Sequence, residues 1–384
     1  MKFTSYIELC ESSLRKNIKF LKKRIGNNVK FCSVVKGNAY GHGLNKFIKI
    51  AEKCGVDYFA VSDAYEAEEA NEAKSRNSHI MIMSYIDNED VLWAVENDIS
   101  FYVFDINRLE TAIKAAKTTK KKAKIHIELE TGFNRTGFEK DYFDKLIHIL
   151  QSNFDYLEIM GLCTHYAGAE SISNFVRINN QKEKFIEYSK LFRENEITPM
   201  FYHTASSAAT LTYPDTIMGL VRVGIAQYGF WPSKETRMYN LLSEDNKFVR
   251  DPLHRILSWK SRIMSIKNLS AGQFAGYGNI YMASRNERVA IIPVGYSHGF
   301  SRSLSNIGHV LINNRKANVV GKVNMNMMLV DITDIHSANI GDEVVMIGKQ
   351  GKHTISVSSF SDLSKSINYE TLTRLPKIIP RDIV

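Results

Sequence analysis

The chain has 384 residues, of which 44% are hydrophobic and 24% charged, with a net charge of +9. That length suggests two domains, or three small ones, and that balance a globular fold, so a single small module, a disordered tail and a fibrous repeat are excluded. No apolar run approaches the roughly 18 residues needed to span a bilayer, and the densest basic run, Lys117 to Lys124, has no interleaved aromatic residues for base stacking, so neither a membrane nor a nucleic acid is an expected partner.

In chain order, the opening MKFTSYIELCESSLRKN carries Glu8 and Glu11 where an export signal needs an apolar core. Cys10, Cys32, Cys54 and Cys163 are irregularly spaced with no metal pattern. Free thiols and a cytoplasmic location are therefore expected. Short β-branched runs then alternate with amphipathic stretches. The runs predict strands at Phe31–Gly37, Tyr58–Asp63, Ile80–Tyr85, Ile99–Asp105, Lys124–Glu130, Leu157–His165, Met200–Ala205 and Leu220–Ala226. Leu44, Phe47, Ile48 and Ala51 share one helical face, and Tyr142, Leu146 and Leu150 form an i, i+4, i+8 stripe. Eight alternating units in about 200 residues predict an α/β fold with a (β/α)8 TIM-type barrel, an open doubly wound sheet being the competing topology. The texture changes after Trp231 and Pro232, through a polar segment at Ser233 to Asp251 that reads as a boundary.

Beyond it, runs at Trp259–Ile266, Arg288–Tyr296, His309–Ile312, Ala317–Val323, Met328–Ile332 and Glu343–Ile347 are punctuated by Gly and Asn turns and predict a mostly β C-terminal domain. One helical segment is expected near Ser359 to Ser366. The expected domains are a barrel over residues 8–240 and a β domain over residues 241–384, with residues 1–7 pairing with the latter.

A barrel places reactive groups at the C-terminal ends of its strands and phosphate near the last two. Lys36 ends the first apolar run; a desolvated lysine becomes a neutral amine able to condense with an aldehyde, although a strand-end lysine more often simply reaches solvent. Glu128 and Arg135 fall at the fifth mouth and His165 at the sixth. At the last two mouths stand His203, Ser206, Ser207 and Arg222-Val223-Gly224. Hydroxyls and small residues there suit a phosphorylated cofactor. Read singly, the histidines fit satisfied core groups and the serines fit helix caps.

VVKGNAYGHG, ETGFNRTGF, THYAGAE, HTASSAA, RVGIAQYG, AGYGNIY, PVGYSHGFSR, VGKVNMNMMLVDIT and NYETLTRL occur in that order. Together they resemble the motifs of the alanine racemase family over nearly the whole chain, from Ile7-Glu8-Leu9 to Pro380-Arg381. The resemblance implies a pyridoxal 5'-phosphate (PLP) isomerase of fold type III, a homodimer with shared active sites, which interconverts L- and D-alanine with two bases and supplies D-alanine for peptidoglycan. It makes Lys36 the lysine that binds the cofactor and serves as the D-face base. Tyr277 becomes the L-face acid/base from the partner subunit. Arg222 faces the pyridine nitrogen, His165 packs on the ring, and His203 supports Arg222. Tyr40, Ser207, the amides of Gly224 and Ile225, and Tyr369 contact the phosphate. Arg135 and the Met325 amide hold the substrate carboxylate, and Tyr296 lines the entrance.

The sequence departs from the family pattern at Glu128, where many members carry a carbamylated lysine, and Glu128 is expected to supply the same acceptor to Arg135 without CO2. It departs again at Glu130, where aspartate is usual, at Ser206, where asparagine is usual, and at Ser297-His298 and Asn326, which remove acidic groups near the entrance. Tyr369 is kept, where serine-preferring relatives tend to carry asparagine, which favours alanine. The alternatives are a racemase of serine, lysine or broad specificity, and a non-catalytic PLP carrier; the carrier lacks a C-terminal β domain. A related decarboxylase brings a cysteine from that domain, and no cysteine follows Cys163.

Overall fold

The computed structural model describes residues 3–242, 251–364 and 367–384. The chain divides into two compact units. One comprises residues 12–37 and 47–255; the other comprises 1–11, 38–46 and 256–384.

The first unit is built on eight parallel strands: β1 (Lys30–Val34), β2 (Tyr58–Val61), β3 (His79–Ile82), β4 (Ser100–Val103), β5 (Ala123–Glu128), β6 (Leu157–Cys163), β7 (Phe201–His203) and β8 (Leu220–Val223). They pair in sequence order from β1 to β7, and β8 pairs with β1. A bridge from Ser206 to Arg222, with Arg222 N–H donating to Ala205 O at 2.9 Å, joins β7 to β8 and closes the barrel. All eight expected strands form, but most leave the ladder two or three residues early. Asp63 and Asp105, expected as strand ends, instead cap the helices Ala64–Ala73 and Ile106–Thr119 by accepting the amides of Glu66 and Arg108 at 3.0 and 2.8 Å. The capping carboxylates turn the chain, so apolar continuity overstated strand length.

The helix Phe143–Ser152 buries Leu146 and Leu150 as the stripe predicts, but Tyr142 lies in the preceding 3₁₀ turn and is exposed. A helix at Lys234–Leu242 occupies the segment expected to be a polar boundary. Its inward residues are polar, Thr236 and Asn240, and Asn240 donates to Leu211 O at 3.1 Å, so it has no apolar stripe to betray it. Residues 243–250 of that segment lie outside the described residues.

The second unit is a ten-stranded sheet among the described residues. Its path runs Ser265–Leu269, Glu287–Ile292, Met328–Asp331, Arg315–Val320, His309–Ile312, Glu343–Gln350, Leu257–Arg262, Ser5–Leu9 and Arg381–Ile383, with His353–Ile355 paired to Glu343–Gln350. The expected run Trp259–Ile266 is two strands parted at Ile263 and Met264. Ser5–Leu9 pairs antiparallel with Leu257–Arg262 and parallel with Arg381–Ile383, which places the N-terminal strand inside the sheet. The expected helix forms as Val357–Ser364, with Lys365 and Ser366 outside the described residues, and a second helix follows at Asn368–Thr373. Among the described residues no helix is long and apolar enough to cross a membrane.

Candidate active site

The end of β1 is held by two buried side chains from the loop after β8. Gln227 Nε2 and Tyr228 Oη both donate to Val34 O at 3.0 Å, while Gln227 Oε1 accepts from Ser33 Oγ at 2.7 Å. Two residues beyond that clamp is Lys36. Its Nζ makes no hydrogen bond or ion pair among the described residues, and water reaches the side chain. Protein nevertheless surrounds it closely enough that burial lowers its pKa, helped by Arg135 and Arg222 and opposed by Glu66. Water access together with a desolvated amine is the signature of a concave mouth.

The backbone after Lys36 is unusual. Gly37, Asn38, Ala39, Tyr40 and Gly41 all have φ between 51° and 77°. Five successive residues in the left-handed region, three of them with side chains, are costly and persist only where the surroundings over-determine them. In the second unit, Asn38 Oδ1 accepts Leu44 N–H at 2.9 Å and Arg381 donates to Gly41 O at 2.9 Å. The same guanidinium caps the carbonyls of Leu375, Pro376, Lys377 and Ile379, and burial lowers its pKa to about 10. Tyr40 and Tyr369, both expected near phosphate, are brought together with ring centroids 5.9 Å apart.

Arg222, on β8, is buried in the barrel with no carboxylate in ion-pair range among the described residues. NH1 donates to His203 Nδ1 at 2.6 Å and His203 O at 2.7 Å, and NH2 to Thr164 O at 2.8 Å and Thr204 O at 3.1 Å. None of these bonds uses Nε–H. Cys32, Cys163 and Tyr102 lie around the guanidinium, and burial raises the pKa of each, so neutral groups surround the cation. His165 is half-buried against Phe133, with ring centroids 5.4 Å apart. Burial, then Arg222, Arg135 and Lys36, push its pKa down to about 3, which leaves a neutral ring.

Ser207 opens the short helix after β7, and its Oγ accepts Gly224 N–H at 2.9 Å. Ile225 is buried beside it. This unit thus offers an unpaired amine, a fixed guanidinium, and a hydroxyl against backbone amides, in surroundings where cations outweigh Glu66. That donor set suits an anionic aldehyde with a ring nitrogen, and PLP fits it.

Glu128 ends β5 and is only 5% exposed. The direct hydrogen bond expected between Glu128 and Arg135 is not formed. Glu128 bonds the Thr136 hydroxyl, burial raises its carboxyl pKa, and Arg135 acts on it only through charge. The Arg135 guanidinium rests 4.4 Å from the centroid of the Phe133 ring. A glutamate stem is shorter than a carbamylated lysine, so its carboxylate stops within the Leu129–Phe138 turn.

In the second unit, Tyr277 stands on the 3₁₀ turn Tyr277–Asn279 and is 70% exposed. Tyr296 and Met325, 42% and 55% exposed, are tied to one another's segments: Tyr296 N–H donates to Asn324 O, and Ser297 N–H to Met325 O, each at 3.0 Å. The departures from the family pattern meet here. Asn326 Nδ2 donates to Ser297 Oγ at 3.1 Å, Ser297 Oγ donates to Met325 O at 2.7 Å, and His298 Nε2 lies 3.3 Å from Thr4 Oγ1. A neutral network therefore stands where acids are usual. Gln227, Tyr228 and His126 belong to this scaffold without a role assigned by any motif; a glutamine and a histidine inside apolar strand and strand-end text are the signal the sequence offers for them.

Profiles described as "Alanine racemase, N-terminal domain" and "Alanine racemase, C-terminal domain" match residues 9–232 and 256–383. An alanine racemase of Leptospira interrogans is 32% identical over 382 residues, covering 100% of this chain and 96% of that protein. An alanine racemase of Caldanaerobacter subterraneus is 33% identical over 377 residues, covering 98% and 93%. A crystal structure of alanine racemase from Bacillus anthracis with bound L-Ala-P superposes with a TM-score of 0.90 at 29% identity, covering 100% of this chain and 96% of that one. Barrel, β unit and both profiles agree, and the chain belongs to the alanine racemase family.

Proposed function

We propose that the protein is a cytoplasmic, PLP-dependent alanine racemase that interconverts L- and D-alanine and supplies the D-enantiomer for peptidoglycan. The observation that carries this reading is the pairing of Lys36, a desolvated amine free of protein partners, with Arg222, a permanent cation fixed in the same barrel. PLP supplies an aldehyde that joins the amine of an amino acid and a ring that acidifies the α-proton.

Lys36 holds the cofactor and moves the proton on the D face. Tyr277 moves it on the L face, and its high exposure supports delivery of that phenol to the site of a second copy in a homodimer. Two bases on opposite faces are what racemisation requires, since one base would return the starting enantiomer. Arg222 keeps the ring nitrogen unprotonated, because a guanidinium donates and never accepts. His203 supports it, and neutral His165 packs on the ring. Ser207, Gly224, Ile225, Tyr40 and Tyr369 hold the phosphate. Arg135 and the Met325 amide hold the substrate carboxylate, and Tyr296 lines the way in.

The neutral Ser297–Asn326 pair favours, as a second reading, a racemase acting on another small or a basic amino acid. The test is a panel of single-enantiomer amino acids incubated with protein and PLP, then resolved by chiral chromatography. Alanine racemised fastest is the expected result. Preference for serine or lysine would select the second reading, and racemisation of none would overturn both.

A further inference from the structure

His126 lies on β5 and His203 on β7, with β6 between them, and both are fully buried. Their rings meet across the intervening strand, His126 Nδ1 to His203 Nε2 at 2.9 Å. The strand permits this only because it carries Gly161 at that position. A Cβ there would lie 2.3 Å from His126 Nδ1 and 2.5 Å from His203 Nε2, so any side chain would cut the bond.

Hydrogen-bond chemistry fixes the proton positions from the Arg222 end. A guanidinium only donates, so His203 Nδ1, 2.6 Å from Arg222 NH1, is bare. The proton of neutral His203 is then on Nε2 and is donated to His126 Nδ1. At the far end Ser100 Oγ donates to Ile80 O at 3.1 Å and is left to accept, at 3.3 Å from His126 Nε2, where Tyr58 Oη also lies at 3.1 Å. His126 is therefore bare at Nδ1 and protonated at Nε2. Burial keeps both rings neutral, with the His126 pKa at about 3 and that of His203 well below its ordinary value.

From this geometry we infer that His126 is a positioning residue for the reaction: through Gly161's gap it holds His203 in the one tautomer that accepts from Arg222, and so holds the Arg222 guanidinium in register for the cofactor's ring. Without His126 the buried His203 Nε2–H has no acceptor. The ring then reaches a partner only by moving its proton to Nδ1, which turns a donor toward the guanidinium. The inference rests on the racemase reading for its kinetic consequence, but its structural core does not need a bound cofactor.

The experiment compares wild type with His126→Leu, His126→Asn and Gly161→Ala. Asparagine offers an oxygen near the Nδ1 position, whereas Gly161→Ala leaves both histidines in place and inserts a methyl between them. Side-chain nitrogen NMR on the cofactor-free protein reads the tautomers. His203 should be protonated at Nε2 alone in wild type and His126→Asn, and lose that single state in His126→Leu and Gly161→Ala. With PLP restored, the latter two should lose about tenfold or more in kcat with little change in KM, the scale on which residues that orient a charged ligand act, and His126→Asn should recover most of it. Wild-type His203 protonated at Nδ1, unchanged tautomers and rates in both disrupting variants, or loss of fold in all three variants would overturn the proposal. A correct tautomer pattern in a protein that racemises nothing would instead sink the racemase reading alone.

Discussion

The two units bring their site residues to hand in opposite ways. In the barrel the frame around Lys36 is braced: Val34 is clamped by Gln227 and Tyr228, Arg222 makes four hydrogen bonds to His203, Thr164 and Thr204, and Ser207 accepts the Gly224 amide. In the β unit Tyr277, Tyr296 and Met325 stand exposed, anchored through their backbone neighbours rather than their side chains. A braced group is pre-positioned and loses little freedom when a ligand arrives, whereas an exposed one is ordered by whatever later covers it. Damage to the barrel should therefore appear as lost chemistry even in a well-folded protein. Damage to the β-unit residues should appear as one missing function that a second copy can restore.

The largest effect is expected at Lys36. Lys36→Ala should abolish racemisation and the visible absorbance of bound PLP while far-ultraviolet circular dichroism stays native. Covalent capture of the cofactor at another lysine would break the contrast at its centre.

Next comes Tyr277→Phe, which removes a proton and keeps a ring. Loss of an acid/base group costs about 10²- to 10⁴-fold, and in single-turnover deuterium incorporation that loss should fall on one enantiomer. Mixing Tyr277→Phe with Lys36→Ala should restore part of the rate, because a mixed dimer regains one intact pair. Equal loss on both faces, or no restoration on mixing, would count against delivery of Tyr277 to a second copy.

Glu128→Gln sharpens the comparison from the braced side. The amide still accepts from Thr136 and no longer buries a charge, so stability should hold or rise, and substrate use should fall by less than about tenfold, since Arg135 feels Glu128 only at a distance. Activity should also ignore rigorous removal of CO2. A loss of a hundredfold would show that the two groups come into direct contact during turnover.

The effect most remote from turnover concerns acid. His42, His126 and His203 are buried and neutral, with folded pKa values at about 3 for the first two and well below the ordinary value for the third. Their unfolded counterparts take up protons near pH 6.5, so the stability they contribute is complete above that pH and is lost as the pH falls toward 3. A histidine that is neutral when folded and charged when unfolded contributes a slope of at most about 1.4 kcal/mol per pH unit between its two pKa values. Urea unfolding midpoints between pH 7 and 5 should fall accordingly, and His126→Asn should reduce the slope. A flat profile would mean that these rings are charged in the folded state.

Much of this was legible in the sequence. The eight barrel runs, the β texture beyond the boundary and the family motifs carrying Lys36, Arg222 and Tyr277 all precede any coordinate. What was not legible has physical reasons. Helix Lys234–Leu242 escaped notice because it buries polar residues, and strand ends were overrun because Asp63 and Asp105 turn the chain by capping. The reach of Glu128 is not legible from charge type alone, because the stem length decides which partner the carboxylate meets. The partnership of His126 with His203 was invisible because it spans 77 positions and depends on a missing side chain at Gly161.

Strand Ser5–Leu9 lies between Leu257–Arg262 and Arg381–Ile383 in the β unit, and Arg381 also ties down Gly41. This has a consequence for vectorial synthesis. At about 5 to 20 residues per second, the first strand waits roughly 20 to 75 s on the ribosome for its final neighbour. The barrel segments emerge and can fold during that interval, before Arg381 is there to donate to Gly41 in the turn that follows Lys36. Removing residues 381–384 should therefore leave the barrel strands formed while Gly41 loses the guanidinium that ties it down.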